Sequence, residues 1–196
     1  MNETSLLQVK LNEVDSSKKA TPVIWLYGRP SAGKTTLANE LKAQLDQCGV
    51  ASCILDGDVL RNAISKDLGF SLEDRAENLR RAAEIAKIIA SSGIVVIAAF
   101  VTPLLSHREL INSILKKSVV QFVYLECSHE ECVKRDAKGL YEKAKSGGVA
   151  EMTGVTSPFE IPAIGQNDLV LSSINYSPEQ LAKTVRQAIP ELRFIP

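Results

Sequence analysis

The stretch "GRPSAGKTT", residues 28–36, decides the fold, and it directly follows the apolar run "VIWLY" at 23–27. It matches the pattern G-x-x-x-x-G-K-[ST] between a predicted strand and a predicted helix, which is the context that this pattern requires. The glycines allow the backbone N–H groups to converge on phosphate oxygens, and the start of the following helix adds a favourable dipole. We therefore predict a nucleotide site that uses ATP and Mg²⁺, in which Lys34 reaches the β- and γ-phosphates and Thr35 ligates magnesium. The residues predicted to bind the nucleotide here are Gly28, Ser31, Ala32, Gly33, Lys34, Thr35 and Thr36.

Strand-like and helical patterns alternate along the chain after about residue 20. The strand candidates are β-branched or nearly continuous in apolar residues, as buried parallel strands are, and they lie at 23–27, 52–56, 94–100, 119–126 and 168–172. The helix candidates lie at 34–47, 74–91, 104–116 and 178–188. The alternation predicts an α/β fold, a P-loop NTPase-type three-layer sandwich with a mainly five-stranded parallel sheet. We expect one domain at 21–196, after a polar N-terminal arm at 1–20.

Composition and charge exclude several classes of protein. The 23 basic and 23 acidic residues cancel, so no overall field draws the chain to nucleic acid or to an anionic membrane. The N-terminus lacks the pattern of a signal peptide, and the longest apolar run, 94–101, is far shorter than the ~20 residues of a membrane helix. We expect a cytoplasmic protein that binds neither nucleic acid nor membrane.

The four cysteines fit neither a zinc site nor a disulfide framework, which favours buried reduced thiols over the alternative of a regulatory disulfide.

Two carboxylates stand at the end of the second predicted strand, in "CILDGDVLR" at 53–61. This edge of a parallel sheet carries the ligand crevice, and residues two apart in an extended segment point to the same side. Asp56 and Asp58 are therefore both expected to face the γ-phosphate, one as the base that takes the acceptor's proton and the other at magnesium. Alternatively, Asp58 only caps the helix that follows. Arg61 adds a cation for an anionic acceptor.

The helix predicted in "FSLEDRAENLRRAAEIAKIIASSG", residues 70–93, has polar residues on its inner stripe. The apolar stripe, extended towards the N-terminus, meets Asn78 and Arg75 at helical spacing. Because this helix starts at the ligand edge of the sheet, we expect both side chains to point into the crevice. Phe70, just before the helix, is expected to stack on a base, and Ser71 with Asp74 forms a variant of the capping box.

The third predicted strand ends in "AAFVTPLLSHR", which places Val101 and Thr102 at the same edge. A backbone or hydroxyl contact with the acceptor is expected there. His107 and His129 have no partner at catalytic or metal-ligand spacing, so we expect both to be surface or capping residues.

The glycine-containing segment at about 135–167 is too long for an ordinary connection, and its basic residues, including Arg135 and Lys138, favour a lid that closes over the nucleotide.

Taken together, the motifs resemble the adenylylsulfate (APS) kinase family, whose members make 3'-phosphoadenylylsulfate from ATP and adenylylsulfate. The resemblance rests on 28–36, "LDGDVLR" (55–61), "LGFSLEDRAENLRRAAEIAK" (68–87), "AAFVTP" (98–103), "RDAKGLY" (135–141) and "TGVTSPFE" (153–160). It implies that residues 31–36 and Arg135 hold ATP, and that Asp58, or alternatively Asp56, accepts the proton of the ribose 3'-hydroxyl. It assigns the adenylylsulfate site to Asp58, Arg61, Phe70, Arg75, Asn78, Val101, Thr102 and Lys138.

Two departures from the family pattern affect the acceptor site. Thr102 stands where the family usually has a phosphorylatable serine. Threonine keeps the hydroxyl group, so Thr102 is a candidate catalytic residue. Met152 replaces an aromatic residue that usually stacks on the acceptor's adenine, and a thioether packs there with less area. A related kinase for another nucleotide-linked acceptor, such as a nucleoside diphosphoramidate, therefore stays open, as does a regulatory nucleotide-binding module. The oligomeric state stays open between a monomer and a homodimer.

Overall fold

The sheet contains every strand that the sequence predicts. A computed structural model describes residues 21–116, 120–136, 139, 141–142, 157–163 and 168–192. The strands are β1 (Val23–Tyr27), β2 (Ser52–Asp56), β3 (Val95–Phe100), β4 (Val120–Glu126) and β5 (Leu169–Ser172). All neighbours pair in parallel, in the order β2-β3-β1-β4-β5. β1 therefore lies between β3 and β4, and the loop after it opens where the strand order reverses, which is where such sheets bind ligands.

The helices cover both faces of this sheet. They are α1 (Lys34–Gln47), α2 (Gly57–Arg61), α3 (Leu72–Ser91), α4 (Leu105–Leu115), α5 (His129–Arg135) and α6 (Pro178–Ala188). The four predicted helices are confirmed, although α3 begins at Leu72 instead of residue 74. Ser71 caps α3 by accepting the N–H of Asp74, whereas the Asp74 carboxylate accepts the N–H of Gly69, so the expected reciprocal box is only half formed. None of the helices that the structure describes is long and apolar enough to cross a bilayer.

Two hydrophobic cores separate the layers, because successive side chains of a strand point to opposite faces. On one face Ile24 and Leu26 of β1 pack with Leu41 of α1 and Leu181 of α6. On the other face the core is formed by residues of β1, α3 and α4, among them Val23, Trp25, Tyr27, Leu79, Ala82 and Ile111. The predicted three-layer sandwich is confirmed.

Two expectations about individual residues need correction. His107 is not a surface residue: it lies in α4 with 4% of its surface exposed, and burial, with the nearby charge of Arg75, lowers its pKa. His129 is exposed at the start of α5, as expected. All four cysteines are free thiols, but only Cys127 and Cys132 are buried, since Cys48 and Cys53 are partly exposed.

Candidate active site

A cavity of about 790 Å³ opens at the carboxyl edge of the sheet. Its walls come from the loops after β1, β2 and β3, from the start of α3 and from the loop before α6. The residues predicted for function that line it are Ser31, Ala32, Gly33, Lys34, Thr35, Thr36, Asp56, Asp58, Arg61, Phe70, Arg75, Asn78, Val101, Thr102 and Arg135. Gly28 does not line the cavity, and Lys138 and Met152 lie outside the described residues. The carboxyl ends of separate strands thus bring the two predicted halves of the site into one space.

The phosphate loop is curled by residues with positive φ. Gly28, Ser31 and Gly33 have φ of 154°, 61° and 100°. A Cβ on Gly28 would lie 2.6 Å from the carbonyl oxygen of Leu125, so this position requires glycine for its conformation and for space. Gly28 therefore shapes the loop from behind the cavity. Helix α1 has no side-chain cap, so its first N–H groups remain available to a bound anion.

The Lys34 ammonium is held by the loop that it follows. Its Nζ donates to the carbonyl oxygens of Gly28 at 3.1 Å and of Arg29 at 2.7 Å. These contacts keep the cation at the mouth of the curled loop, on the cavity wall. A terminal phosphate can replace weak carbonyl acceptors with charged oxygens, which form stronger hydrogen bonds with an ammonium group.

The two carboxylates after β2 have different environments. Asp56 uses both oxygens: Oδ2 accepts the Thr35 hydroxyl at 2.8 Å and Oδ1 accepts the backbone N–H of Asp58 at 2.9 Å. Asp56 is therefore the N-cap of α2, and the alternative that Asp58 caps this helix is wrong. Asp58 lies in the first turn of α2, with its side chain exposed on the cavity wall.

Thr35 and Asp56 fit magnesium. Their hydroxyl and carboxylate oxygens are adjacent, and hard oxygen ligands of this kind are those that Mg²⁺ prefers. Magnesium in nucleotide sites takes one or two protein ligands and completes its shell with phosphate oxygens and water. Within the described part of the chain, no group of three or more His, Cys, Asp and Glu residues could hold a metal. The site therefore suits an ion that arrives with a nucleotide.

Cations and an aromatic ring form another part of the cavity wall. The Arg61 guanidinium lies 4.6 Å from the centroid of the Phe70 ring, and that of Arg75 lies 5.6 Å from it. Arg61 also donates to the Gly69 carbonyl at 2.6 Å, and Arg75 Nε donates to the Phe70 carbonyl at 2.8 Å. Burial lowers the pKa of Arg61, although a guanidinium stays charged at neutral pH. The wall thus offers positive charge beside an aromatic face that is 55% exposed.

Asn78 and Thr102 contribute buried polar groups to this wall. Asn78 is 4% exposed, and its Oδ1 has no hydrogen-bond partner among the residues that the structure describes. A buried oxygen of this kind costs free energy until a donor reaches it, and a hydroxyl or amine of a bound ligand can supply that donor. Thr102 is 1% exposed, and its Oγ1 accepts a hydrogen bond of 2.9 Å from the indole of Trp25.

Comparison with known proteins gives this arrangement a family. The family model described as "Adenylylsulphate kinase" matches residues 20–172. The chain belongs to the adenylylsulphate kinase family. It is 45% identical, over 77% of its own length and 83% of the other's, to the adenylyl-sulfate kinase of Paraburkholderia xenovorans.

This member of the adenylylsulphate kinase family is also similar to one solved structure and to one longer enzyme. The structure of the Mycobacterium tuberculosis APS kinase CysC in complex with AMPPNP and APS has a TM-score of 0.83 and 33% identity, covering 87% of this chain and 98% of that one. The bifunctional enzyme NodQ of Rhizobium tropici is 39% identical over 84% of this chain. The chain spans only 26% of the length of that NodQ enzyme.

Arg135 of this adenylylsulphate kinase family member lies on the wall of the cavity. Its guanidinium donates to the hydroxyl of Ser173 at 3.1 Å and to the carbonyl of the same residue at 3.0 Å, while its Nε donates to Glu131. These three bonds fix the planar group on the wall of the cavity, which Tyr176, an exposed residue of the loop before α6, also lines. An ordered guanidinium and an aromatic ring suit the face of a nucleotide base.

Sequence reasoning missed several residues that shape the site. Trp25, Ser173 and Tyr176 contact or line it, yet none belongs to a motif of the phosphate loop or of the acceptor wall. For Trp25 a signal existed: a buried indole carries an N–H that needs a partner, and only a polar group near the strand end could supply one. For Tyr176 the signal was an aromatic residue directly before Ser177, the N-cap of α6.

Proposed function

We propose that this chain is an ATP-dependent kinase that transfers the γ-phosphoryl group of ATP to the 3'-hydroxyl of adenylylsulfate, giving 3'-phosphoadenylylsulfate and ADP. The observation that carries this proposal is the single cavity in which a phosphate loop faces two arginines, an aromatic ring and a buried amide, with Asp58 on the wall. Support comes from the family and from the related M. tuberculosis kinase, which was solved with AMPPNP and APS.

In the ATP half of the site the protein binds and orients the phosphates. The loop N–H groups and the start of α1 receive the β-phosphate, and Lys34 turns from the carbonyls of Gly28 and Arg29 to the phosphate oxygens. Magnesium, when bound at Thr35 and Asp56, neutralises charge on the phosphate oxygens. Arg135, held by Ser173, lies against the base.

In the acceptor half the protein supplies charge, an aromatic face and a hydrogen-bond acceptor. Arg61 and Arg75 offset the negative charge of the phosphosulfate group, and the exposed face of Phe70 packs on the adenine. The unpartnered Oδ1 of Asn78 accepts a hydrogen bond from the acceptor. Each of these groups fixes the nucleotide so that its ribose reaches the ATP half, and such positioning is the main source of rate in phosphoryl transfer.

The transfer step needs one base. The 3'-oxygen attacks the γ-phosphorus, a new P–O bond forms, and the bond to the β,γ-bridging oxygen breaks with its electron pair leaving on ADP. The proton of the 3'-hydroxyl goes to the carboxylate of Asp58. Asp58 is the proposed base because its exposed side chain lies on the cavity wall, whereas Asp56 accepts hydrogen bonds from the Thr35 hydroxyl and from the first turn of α2.

The test is a comparison of acceptors with the purified chain, ATP and magnesium. ADP release and the mass of the product are measured with adenylylsulfate, with a nucleoside diphosphoramidate and without acceptor. We expect turnover with adenylylsulfate and a product heavier by one phosphoryl group. Turnover with the diphosphoramidate alone would show that this compound is the acceptor instead of adenylylsulfate. The departures from the family pattern at Thr102 and Met152 are the reason for including it. ATP binding without turnover of either would favour a regulatory module, and the Lys34→Ala variant controls for contaminating kinases.

A further inference from the structure

Trp25 is an internal residue of the central strand that contacts the active site through one hydrogen bond. It is fully buried in β1, and its ring stacks on Phe100 at a centroid distance of 5.1 Å with an interplanar angle of 21°. Its Nε1 donates to Oγ1 of Thr102 over 2.9 Å. The ring contributes to packing, and the buried indole N–H in addition needs a hydrogen-bond acceptor.

The direction of this hydrogen bond determines what the Thr102 hydroxyl can do. An indole N–H only donates, so the Thr102 oxygen must be the acceptor, and the hydroxyl hydrogen must be given to some other group. Among the residues that the structure describes, Thr102 donates this hydrogen to none. Thr102 is 1% exposed and lines the cavity, so a ligand in the cavity can accept this hydrogen.

The backbone at Thr102 is also held in an unusual conformation. Its φ is 42°, which is uncommon for any residue other than glycine and costly for a β-branched one. The preceding carbonyl, of Val101, accepts the backbone N–H of Gly28 at 3.4 Å, so this turn is tied to the phosphate loop. Strain of this kind persists where the surroundings hold a group in a functional position.

We propose that Trp25 is a positioning residue: its indole N–H makes Thr102 Oγ1 an acceptor, so that the Thr102 hydroxyl donates to an anionic oxygen of the acceptor nucleotide. This inference rests on the proposed kinase function. It assigns Thr102 to substrate binding as a hydrogen-bond donor. It does not make Thr102 a phosphoryl carrier, because none of the described carboxylates or imidazoles contacts its hydroxyl to act as a base.

The sequence offers an unusually clean test, since Trp25 is the only tryptophan. Biosynthetic replacement of tryptophan by 3-benzothienylalanine puts sulfur in place of the N–H at this one position and keeps the shape of the ring. We expect KM for adenylylsulfate to rise about 3- to 10-fold, with KM for ATP unchanged, because the hydroxyl remains but is no longer oriented. Thr102→Val should raise KM for adenylylsulfate about 10- to 100-fold, the loss of one hydrogen bond to a charged group, and Thr102→Ser should stay within about threefold of the natural chain.

A double substitution separates positioning from structural damage. If Trp25 acts through Thr102, the benzothienyl replacement should add no further loss in the Thr102→Val background. The matched control is Phe122→Leu, which disturbs the same aromatic cluster, 6.5 Å from Trp25, without touching the hydrogen bond. It should lower the thermal midpoint and leave KM for adenylylsulfate unchanged.

Three results would overturn the inference. The first is an unchanged KM for adenylylsulfate after the benzothienyl replacement. The second is a benzothienyl effect on this KM that adds in full to the effect of Thr102→Val. The third is a benzothienyl replacement that raises KM for ATP as much as KM for adenylylsulfate. If the natural chain fails to phosphorylate adenylylsulfate, the proposed function and this inference fall together. If the natural chain does phosphorylate it and the variants match it, only this inference falls.

Discussion

Replacing Asp58 by asparagine tests the proposed base most directly. The amide keeps the size of the carboxylate but cannot take a proton, and the phosphate loop, Lys34 and Thr35 stay as they are. A positioned general base contributes about 10²- to 10⁴-fold to a rate, which corresponds to about 2.7–5.5 kcal/mol of the barrier. We therefore expect kcat to fall by about 10²- to 10⁴-fold, with the affinity for ATP within about twofold of the natural chain.

The assay measures kcat by ADP release at saturating ATP and adenylylsulfate, and the affinity for ATP separately by equilibrium binding. Asp56→Asn is the matched control, because the same chemical change two residues away removes the negative charge beside Thr35 and leaves an amide oxygen that can still cap α2. This control should raise the magnesium concentration needed for half-maximal rate and leave the unfolding free energy nearly unchanged, because asparagine caps helices as well as aspartate does. A kcat of Asp58→Asn within threefold of the natural value would refute the reasoning.

Three further predictions concern the loop, the core and the surface charges. Gly28→Ala should lower the unfolding free energy by about 1–3 kcal/mol and weaken ATP binding in a titration, because the added Cβ meets a carbonyl oxygen at 2.6 Å; unchanged values would contradict this. Leu41→Ala, at a fully buried position, should cost about 2–5 kcal/mol in denaturant unfolding. The guanidinium groups of Arg80 and Arg81 lower the pKa of Glu77 from 4.5 to about 2, so the stabilisation is present above pH 4.5 and is lost as the pH falls towards 2. Because these side chains are partly exposed, the loss should stay below about 1 kcal/mol and be absent in Glu77→Gln.

The strands β1 and β3 could be predicted because they are buried on both faces. β1 and β3 have no exposed residue, so their sequences are continuous apolar runs that differ clearly from the helical period around them. α2 and α5 were not predicted, because helices of five and seven residues are too short to show a period of 3.6. The capping serine and the acidic first turn of α5 were the available signal.

The location of the candidate site followed from chain order, whereas its internal contacts did not. Parallel strands end at one edge, so motifs that follow β1, β2 and β3 had to meet there. Which carboxylate caps α2 depends on a backbone turn of two residues, and the sequence left Asp56 and Asp58 equivalent. The burial of His107 depends on which face of α4 packs on α3. A short amphipathic pattern does not show whether a residue at the edge of that face is buried or exposed.

The strand order also explains why the two halves of the site are coupled. β1 pairs with β3 along its whole length, so the phosphate loop after β1 and the turn at Val101 and Thr102 after β3 leave the sheet side by side. The Gly28 N–H bonds across this gap to Val101, and the Trp25 indole bonds across it to Thr102. Both contacts join the strand that carries the ATP loop to the turn that faces the acceptor. The acceptor wall is therefore held to the strand that carries the ATP loop, and breaking either contact would leave a buried polar group unpaired.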